Sequence, residues 1–222
     1  MKIHHLLWLL VCLANFEERL CGEVNLRFRH LTSVPEDITH NVTSLFLDTN
    51  DIKGIRQTDF NEKYQHLIWV SLKLNRITFI ESGCFKGTIL ERLQLNSIKL
   101  TSIPDLREVS NTLTELYLGS NPITTIRVDD LSYLTQLNIL GLNGILSTLH
   151  DVTQLMPSLQ VLDLQQSPLN RCCSNLWLKQ IQHHILLGSN LVARERLFAV
   201  VDKGNGFAHV KCSDAEPPPP QH

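Results

Sequence analysis

Hydrophobic residues recur through the middle of the chain in one fixed pattern. Each clear copy has hydrophobic residues at positions 1, 4, 6, 11 and 14, with a turn near position 9. Four clear copies begin at Val42, Leu67, Leu90 and Leu113, and two weaker copies begin at Leu137 and Leu159. Their starts are 25, 23, 23, 24 and 22 residues apart. A unit of this length supplies one short strand and cannot bury its hydrophobic edge alone, so the pattern predicts a stack of six units.

Position 9 of the pattern is often asparagine. Asn50, Asn75 and Asn121 occupy it in three of the clear copies. A buried amide at this position can bond backbone groups that the turn leaves unpaired. Ile98, Ile145 and Ser167 replace it in the third, fifth and sixth copies. We therefore expect irregular turns in those three units.

A second hydrophobic column lies outside the pattern. Phe60, Phe85 and Leu131 each follow the last pattern position of their unit by five residues. This spacing predicts a hydrophobic spine beneath the turns on the side away from the strands. Cys84 directly precedes Phe85, and we expect it to be a buried free thiol.

Strand alternation turns positions 4 and 6 inward and leaves the residues beside them facing outward. Neighbouring strands about 5 Å apart would present these outward residues as one pre-ordered surface. Aromatic and arginine side chains supply most of the energy of protein interfaces. We expect partner contacts from outward residues of four units, namely Phe46, Trp69, Lys73, Arg92, Glu115 and Tyr117. The alternative is that Phe46 and Trp69 only cover an edge of the stack.

Both ends of the chain depart from the pattern, as the ends of a stack must. Cys21 precedes the segment 31–38, and the C-terminal segment contains Pro168, Cys173, Trp177 and Leu178. These motifs resemble the cysteine-bearing caps of extracellular leucine-rich-repeat proteins, such as Toll-like receptor ectodomains, variable lymphocyte receptors and small leucine-rich matrix proteins. The resemblance implies an α/β solenoid: a horseshoe with a parallel β-sheet on its concave face, an irregular convex side and a small helical C-terminal cap.

The predicted organisation follows from the repeats and the ends. Residues 1–14, or alternatively 1–22, form a short hydrophobic signal peptide. Residues 21–41 form the N-terminal cap, 42–166 the six repeats, 167–212 the C-terminal cap and 213–222 a proline-rich tail. No other segment reaches the 18 apolar residues of a membrane span. If the sequence is complete, we expect a secreted, extracellular product.

The cysteines that follow the predicted signal are odd in number: Cys21, Cys84, Cys172, Cys173 and Cys212. Adjacent cysteines rarely bridge each other because the geometry is strained. We expect a disulfide between Cys173 and Cys212, with Cys172 as the alternative partner of Cys212. The remaining Cys21 or Cys172 could form a disulfide-linked dimer, form a bond within the chain or stay free.

The charge distribution limits the classes of partner that the sequence predicts, and one sequon predicts a glycosylation site. The formal net charge of -2 gives no overall electrostatic drive toward nucleic acid. The C-terminal cap is locally basic, and Arg194, Arg196 and Lys211 could bind a sulfated glycan or an anionic lipid, although a solvated cap surface is the simpler explanation. The sequon at residues 41–43 makes Asn41 the predicted glycosylation site of a secreted chain.

The sequence contains no recognisable local arrangement of nucleophile, base and oxyanion donor. Cys172, Cys173, His183 and His184 are the only clustered soft metal ligands, and adjacent pairs fit a tetrahedral site poorly. We therefore predict no enzyme activity, no metal and no cofactor. The leading functional hypothesis is recognition of an extracellular protein, in immune recognition or cell-surface signalling. The alternatives are a structural matrix or adhesion protein that binds fibrous protein or glycosaminoglycan, and the ectodomain fragment of a membrane receptor.

Overall fold

The computed structural model describes residues 22–144, 156–164 and 166–167, together with the backbone of Leu186–Leu187. The concave strands are β1 (Glu23–Asn25), β2 (Ser44–Phe46), β4 (Trp69–Ser71), β6 (Arg92–Gln94), β7 (Glu115–Tyr117), β8 (Ile139–Gly141), β9 (Val161–Asp163) and β10 (Leu186–Leu187). All pair in parallel, in the order β1-β2-β4-β6-β7-β8-β9-β10. This is the predicted parallel-strand solenoid, and the six repeats supply its six central strands.

The two outer strands come from segments that the repeat pattern does not cover. β1 lies in the predicted N-terminal cap and pairs Val24 with Leu45 of β2. β10 lies in the predicted C-terminal cap and pairs with β9. In the described residues, each cap segment therefore adds a strand to one edge of the sheet and pairs with the outermost strand of the repeats.

The pattern leucines form the core as predicted. The inward residues of the strands, such as Leu45, Val70, Leu93 and Leu116, are fully buried and belong to one continuous hydrophobic cluster. They also stand in register from strand to strand, because Leu45 pairs with Val70, Val70 with Leu93, and Leu93 with Leu116. Each unit thus packs its hydrophobic row directly on the row of the next unit.

The predicted asparagine ladder is present, with Asn50, Asn75 and Asn121 all buried. Each Nδ2 donates to one leucine carbonyl in its own unit and one in the preceding unit, at 2.7 to 3.0 Å. Each Oδ1 accepts a backbone N–H from the preceding unit. The asparagines therefore tie adjacent units together and do not only shape their own turns.

The expectation of an irregular turn at Ile98 is wrong. Ser97, which precedes Ile98, has a φ of 55°, and the residues before Asn75 and Asn121 both have a φ of 56°. The turn is maintained because Asn75 already bonds the carbonyl of Leu72 and Asn121 bonds that of Leu95. These are the two carbonyls that an amide at position 98 would have bonded, so isoleucine leaves neither unpaired.

The turn of the sixth unit is also regular. Gln166, the residue before Ser167, has a φ of 58°, close to that of the asparagine-bearing turns. The Ser167 hydroxyl donates to the carbonyl of Leu142 in the preceding unit at 3.0 Å. Serine thus supplies one of the two donor contacts that asparagine makes elsewhere. The position of the fifth unit, Ile145, lies outside the described residues.

The side opposite the strands is irregular. It contains a two-stranded parallel sheet of β3 (Gly54–Ile55) and β5 (Phe79–Ile80), the helices α1 (Gln57–Phe60) and α2 (Val128–Leu131), and a 3₁₀ turn at Arg107–Val109. The predicted spine is confirmed, because Phe60, Phe85 and Leu131 are fully buried. The rings of Phe60 and Phe85 lie 5.1 Å apart between centroids. Cys84 is a buried free cysteine, as expected, and burial raises the pKa of its thiol.

Several predictions concern residues outside the described part of the chain. These are the signal peptide, Cys21, the Cys173–Cys212 disulfide with its alternative Cys172, the basic residues Arg194, Arg196 and Lys211, and the proline-rich tail. In the described residues, no helix has the length and hydrophobicity needed to cross a membrane. The same residues contain no group of three metal-ligating side chains placed to hold an ion.

Candidate functional site

The concave face brings five of the six predicted contact residues into one group. Cross-strand pairing places Ser44, Trp69, Arg92 and Glu115 in one outward row. Phe46 and Tyr117 lie in the second row, two positions further along their strands. We call the contiguous set of Arg27, Phe46, Trp69, Arg92, Glu115 and Tyr117 the concave cluster.

In the first half of the concave cluster, two aromatic rings in contact lie between two cations. The guanidinium of Arg27 lies over the Phe46 ring at 4.1 Å, and that of Arg92 lies over the Trp69 ring at 4.6 Å. Between them, Phe46 and Trp69 meet edge to face with centroids 4.7 Å apart. Cation–π contacts contribute about 0.5 to 2 kcal/mol each, depending on solvation. The four side chains therefore hold one another in place.

The second half of the concave cluster is an ion pair joined by a tyrosine. Arg92 donates two hydrogen bonds to Glu115, from Nε and from Nη2, each of 2.6 Å. The Tyr117 hydroxyl donates to the same carboxylate at 3.0 Å. A Cβ added at Gly141 would lie 2.9 Å from Cδ1 of Tyr117, so the tyrosine ring occupies space that only glycine leaves free on β8. Tyr117 is thus fixed at both its hydroxyl and its ring.

Phe46, one of the predicted contact residues, offers almost no surface to a partner, since only 4% of the residue is accessible. Arg27 covers one side of it and Trp69 packs against another. Phe46 is therefore itself covered by its neighbours on the concave face. Trp69, Arg92, Glu115 and Tyr117 are half-buried and keep accessible surface on the concave face.

The sequence patterns missed a polar network beside Phe46. Asp48 is buried and bonds Arg27 at 2.7 Å, and it also accepts hydrogen bonds from the Ser71 hydroxyl and, at 3.2 Å, from the Lys73 backbone N–H. Ser71 is itself fully buried and reaches Gln94 at 3.1 Å. Arg27 lies outside the six repeats, so the repeat pattern carried no signal for the Arg27–Asp48 pair, which depends on the pairing of β1 with β2.

Two other predicted residues stand apart from the concave cluster. Lys73 follows the end of β4, with its side chain half-buried at the edge of the face. Asn41 is exposed in the turn before β2. Both positions are compatible with their predicted roles, contact with a partner and attachment of a glycan.

The electrostatics of the concave cluster favour its charged form. The hydrogen bonds from Arg92, and in smaller part that from Tyr117, lower the pKa of Glu115 despite its partial burial. Burial and the bond to Glu115 together raise the pKa of Tyr117 to about 12. The ion pair is therefore intact at neutral pH, and the tyrosine is a neutral hydrogen-bond donor.

We expect acidification to weaken the fold through Glu115. Its folded pKa lies below its ordinary 4.5, so its stabilisation is present above that value and is lost as the pH falls through the lower folded pKa. Between pH 7 and pH 3, a Glu115→Gln variant should therefore lose less thermal stability than the parent chain. Melting curves followed by circular dichroism at both pH values measure this difference.

Glu108 provides an opposite control. Burial raises its pKa, so its contribution to stability is full at low pH and is lost as the pH rises through the folded value. A Glu108→Gln variant should therefore lose more stability on acidification than the parent chain. Equal responses of the two variants would contradict the assignment of the acid response to the concave cluster.

The repeat register, the parallel concave sheet and the asparagine ladder define the chain as a leucine-rich-repeat protein. Its fold matches the structure of a leucine-rich-repeat protein from Leptospira interrogans, with a TM-score of 0.57 over 68% of this chain and 38% of that chain, at 21% identity. This likeness concerns the fold alone. No family model matches the sequence.

Sequence relatives point to a more particular group. The chain is 37% identical to biglycan of Sus scrofa over 115 residues, 34% identical to asporin of Bos taurus over 101 and 32% identical to decorin of Canis lupus familiaris over 117. These alignments cover 50%, 45% and 51% of this chain, but only 41%, 27% and 32% of the relatives. About half of the chain is thus related to the small leucine-rich proteoglycans, and it spans less than half of each one's length.

Proposed function

We propose that the chain is an extracellular leucine-rich-repeat module that binds a protein partner on its concave face, in the setting of the extracellular matrix. The observation that carries the proposal is the concave cluster. Its rings and charged groups are held by mutual contacts before any partner arrives. Binding therefore avoids much of the entropy cost of ordering flexible side chains.

The composition of the accessible part of the cluster suits a protein partner. Trp69, Arg92 and Tyr117 are the residue types most enriched at energetic centres of protein interfaces. They lie on the adjacent strands β4, β6 and β7, which places them within about 10 Å along the sheet. The flanking Ile139 and Val161 are half-buried at the same outward row. A partner would thus meet aromatic and polar groups at the centre and aliphatic groups beside them.

The matrix setting rests on the relatives. The aligned relatives biglycan, asporin and decorin are small leucine-rich proteoglycans of the extracellular matrix. They therefore support the matrix alternative more than immune recognition. The same relationship and the predicted signal peptide support secretion of the chain as part of the proposal. A glycosaminoglycan contact by Arg194, Arg196 and Lys211 remains part of this proposal as a separate electrostatic site.

The test is a paired substitution on the concave face. Replacing Trp69 and Tyr117 with alanine together should weaken binding to the cognate matrix protein by more than about 2 kcal/mol, roughly 30-fold, because both lie at the centre of the proposed contact. Surface plasmon resonance against a panel of purified extracellular-matrix proteins, with a heparin surface in parallel, measures the affinity. Melting curves of both chains verify that the variant is folded.

A matched control uses exposed apolar residues away from the concave face. Phe79 and Ile89 are each 44% exposed, and a Phe79→Ser, Ile89→Ser double variant should bind like the parent chain. If the panel yields a partner whose affinity is unchanged by the Trp69 and Tyr117 substitutions, the concave-face proposal is wrong. Binding that occurs only on heparin and falls steeply with salt would favour the glycan contact alone.

A further inference from the structure

A second surface, separate from the concave cluster, lies where the strands end and the chain turns toward the convex side. It consists of residues 28–30 of the N-terminal cap and residues 49–53, 74–78 and 97–101 of the first three units, which backbone hydrogen bonds align. Asp51 N–H bonds Leu31, Arg76 N–H bonds Ile52, and Lys99 N–H bonds Ile77 in turn, at 2.8 to 3.0 Å. We call this surface the turn rim.

Two residues of the turn rim are large hydrophobic residues at an exposed turn position. Phe28 and Leu74 occupy equivalent turn positions, with φ values of 58° and 56°. That left-handed conformation disfavours large side chains and is best suited to glycine or asparagine. Both side chains also face solvent, at 69% and 57% exposure, the two highest values among the large hydrophobic residues of the described chain. The same turn conformation recurs at the equivalent residues Thr49 and Ser97. What distinguishes Phe28 and Leu74 is a large, exposed hydrophobic side chain at a position that other units fill with a polar residue, which indicates a role outside folding.

The turn rim is also strongly basic. Its charged residues are Arg29, Lys53, Arg76 and Lys99 against the single carboxylate of Asp51, with His30 besides. Asp51 is already bonded to Arg76 at 3.0 Å. Within the described residues, no carboxylate lies within ion-pair distance of Arg29, Lys53 or Lys99, and all three are exposed. The equivalent segment of the fourth unit, 120–124, carries no charge, so along the described residues this row of unpaired cations ends at the third unit.

We propose that the turn rim binds an extended protein segment that carries both acidic and apolar side chains. Acidic groups complement the unpaired cations. Apolar side chains cover Phe28 and Leu74, which a sulfated glycan, lacking apolar side chains, would leave exposed. The two hydrophobic positions are two strands apart, or about 10 Å. Residues three apart in a polyproline-like segment are spaced by about 9 Å on the same side, which matches that distance.

The probe is a fluorescein-labelled peptide with leucine and phenylalanine three positions apart and glutamate at the others. A second peptide, with serine in place of both apolar residues, has the same charge. Fluorescence anisotropy should show tighter binding of the first peptide by the full chain. Affinity should fall with rising salt, as expected for contacts between exposed charges. Equal binding of the two peptides, or none, would overturn the proposal.

Leu74→Asn is the decisive variant, because stability and binding should move in opposite directions. Asparagine tolerates the left-handed conformation and removes exposed hydrophobic surface, so the melting temperature should rise. Affinity for the apolar peptide should fall about fivefold, as expected for the loss of one hydrophobic contact. A residue with only a structural role would not weaken binding while stabilising the fold.

Three controls separate the turn rim from other surfaces. A Lys99→Gln variant should weaken both peptides, whereas Ile89→Ser, at an exposed apolar residue elsewhere, should weaken neither. Trp69→Ala should leave the peptide affinity unchanged, so failure here is distinguishable from failure of the concave-face proposal. If a heparin oligosaccharide binds through Arg76 and Lys99, and the Leu74→Asn substitution leaves the affinity for the apolar peptide unchanged, the turn rim is a glycan site and the proposal fails.

Discussion

Replacing Asn75 with isoleucine is expected to lower the free energy of unfolding by about 2 to 6 kcal/mol. The change leaves two buried backbone groups without partners, the carbonyl of Leu72 and the N–H of Ile52, and each such group costs about 1 to 3 kcal/mol. A third carbonyl, that of Leu47, keeps the hydrogen bond from Asn50. Urea unfolding monitored by circular dichroism measures the loss.

The same substitution at Asn96 is the matched control. Asn96 is half-buried on the concave face and stands outside the asparagine ladder, so Asn96→Ile should change stability by less than about 1 kcal/mol. The natural Ile98 shows that isoleucine itself fits this turn position. It is tolerated there because Asn75 and Asn121 bond the carbonyls of Leu72 and Leu95, so a large loss at Asn75 would reflect the missing hydrogen bonds. A small effect at Asn75 would show that water or other donors replace the ladder.

Replacing Leu118 with alanine should destabilise the chain by about 2 to 5 kcal/mol, since it removes a fully buried side chain from the middle of the stack. The neighbouring units cannot collapse far into the cavity. Their backbones are fixed by hydrogen bonds from the Leu118 N–H to Gly141 and from the Leu95 N–H to Tyr117, each of 2.8 Å. Urea unfolding gives the free energy, and its dependence on denaturant shows whether unfolding stays cooperative.

Ile139→Ala is the control for Leu118→Ala, because Ile139 is an aliphatic residue at an outward position of the next strand and is only half-buried. Its truncation should cost about 1 kcal/mol or less, as its lost burial is partial. Equal losses at the two sites would contradict the division into an inward core and an outward surface. That division is also the basis for assigning the concave face to binding.

The neighbourhood of the concave cluster was predictable, but its accessibility was not. In-register stacking of strands is enough to bring Trp69, Arg92 and Glu115 side by side, because equivalent positions in adjacent units must meet. Whether a side chain is accessible depends on residues outside its own unit. Phe46 is covered by Arg27, which lies in a segment outside the repeats. No local sequence pattern therefore predicts that contact.

The two proposed surfaces would act on different partners or on different parts of one. The charges of the concave cluster are already paired, Arg27 with the neighbouring Asp48 and Arg92 with Glu115, so the contribution of the cluster is shape and aromatic contact. The turn rim has unpaired cations beside exposed hydrophobic residues, so its contribution depends more on salt. Affinities measured at two ionic strengths would therefore distinguish the two contacts even in a single complex.

The spacing of hydrophobic residues determined the solenoid, the inward rows, the spine with Phe60 and Phe85, and the structural asparagines. These features repeat every 22 to 25 residues, and a repeated local pattern can be extended along the chain without knowing any distant contact. Only the tertiary structure decided that the cap segments add strands at both edges, that the turn at Ile98 stays regular, and that Phe46 is buried beneath Arg27. The physical reason is that each of these outcomes depends on hydrogen bonds or ring contacts supplied by a neighbouring unit, and those partners become neighbours only when the units stack.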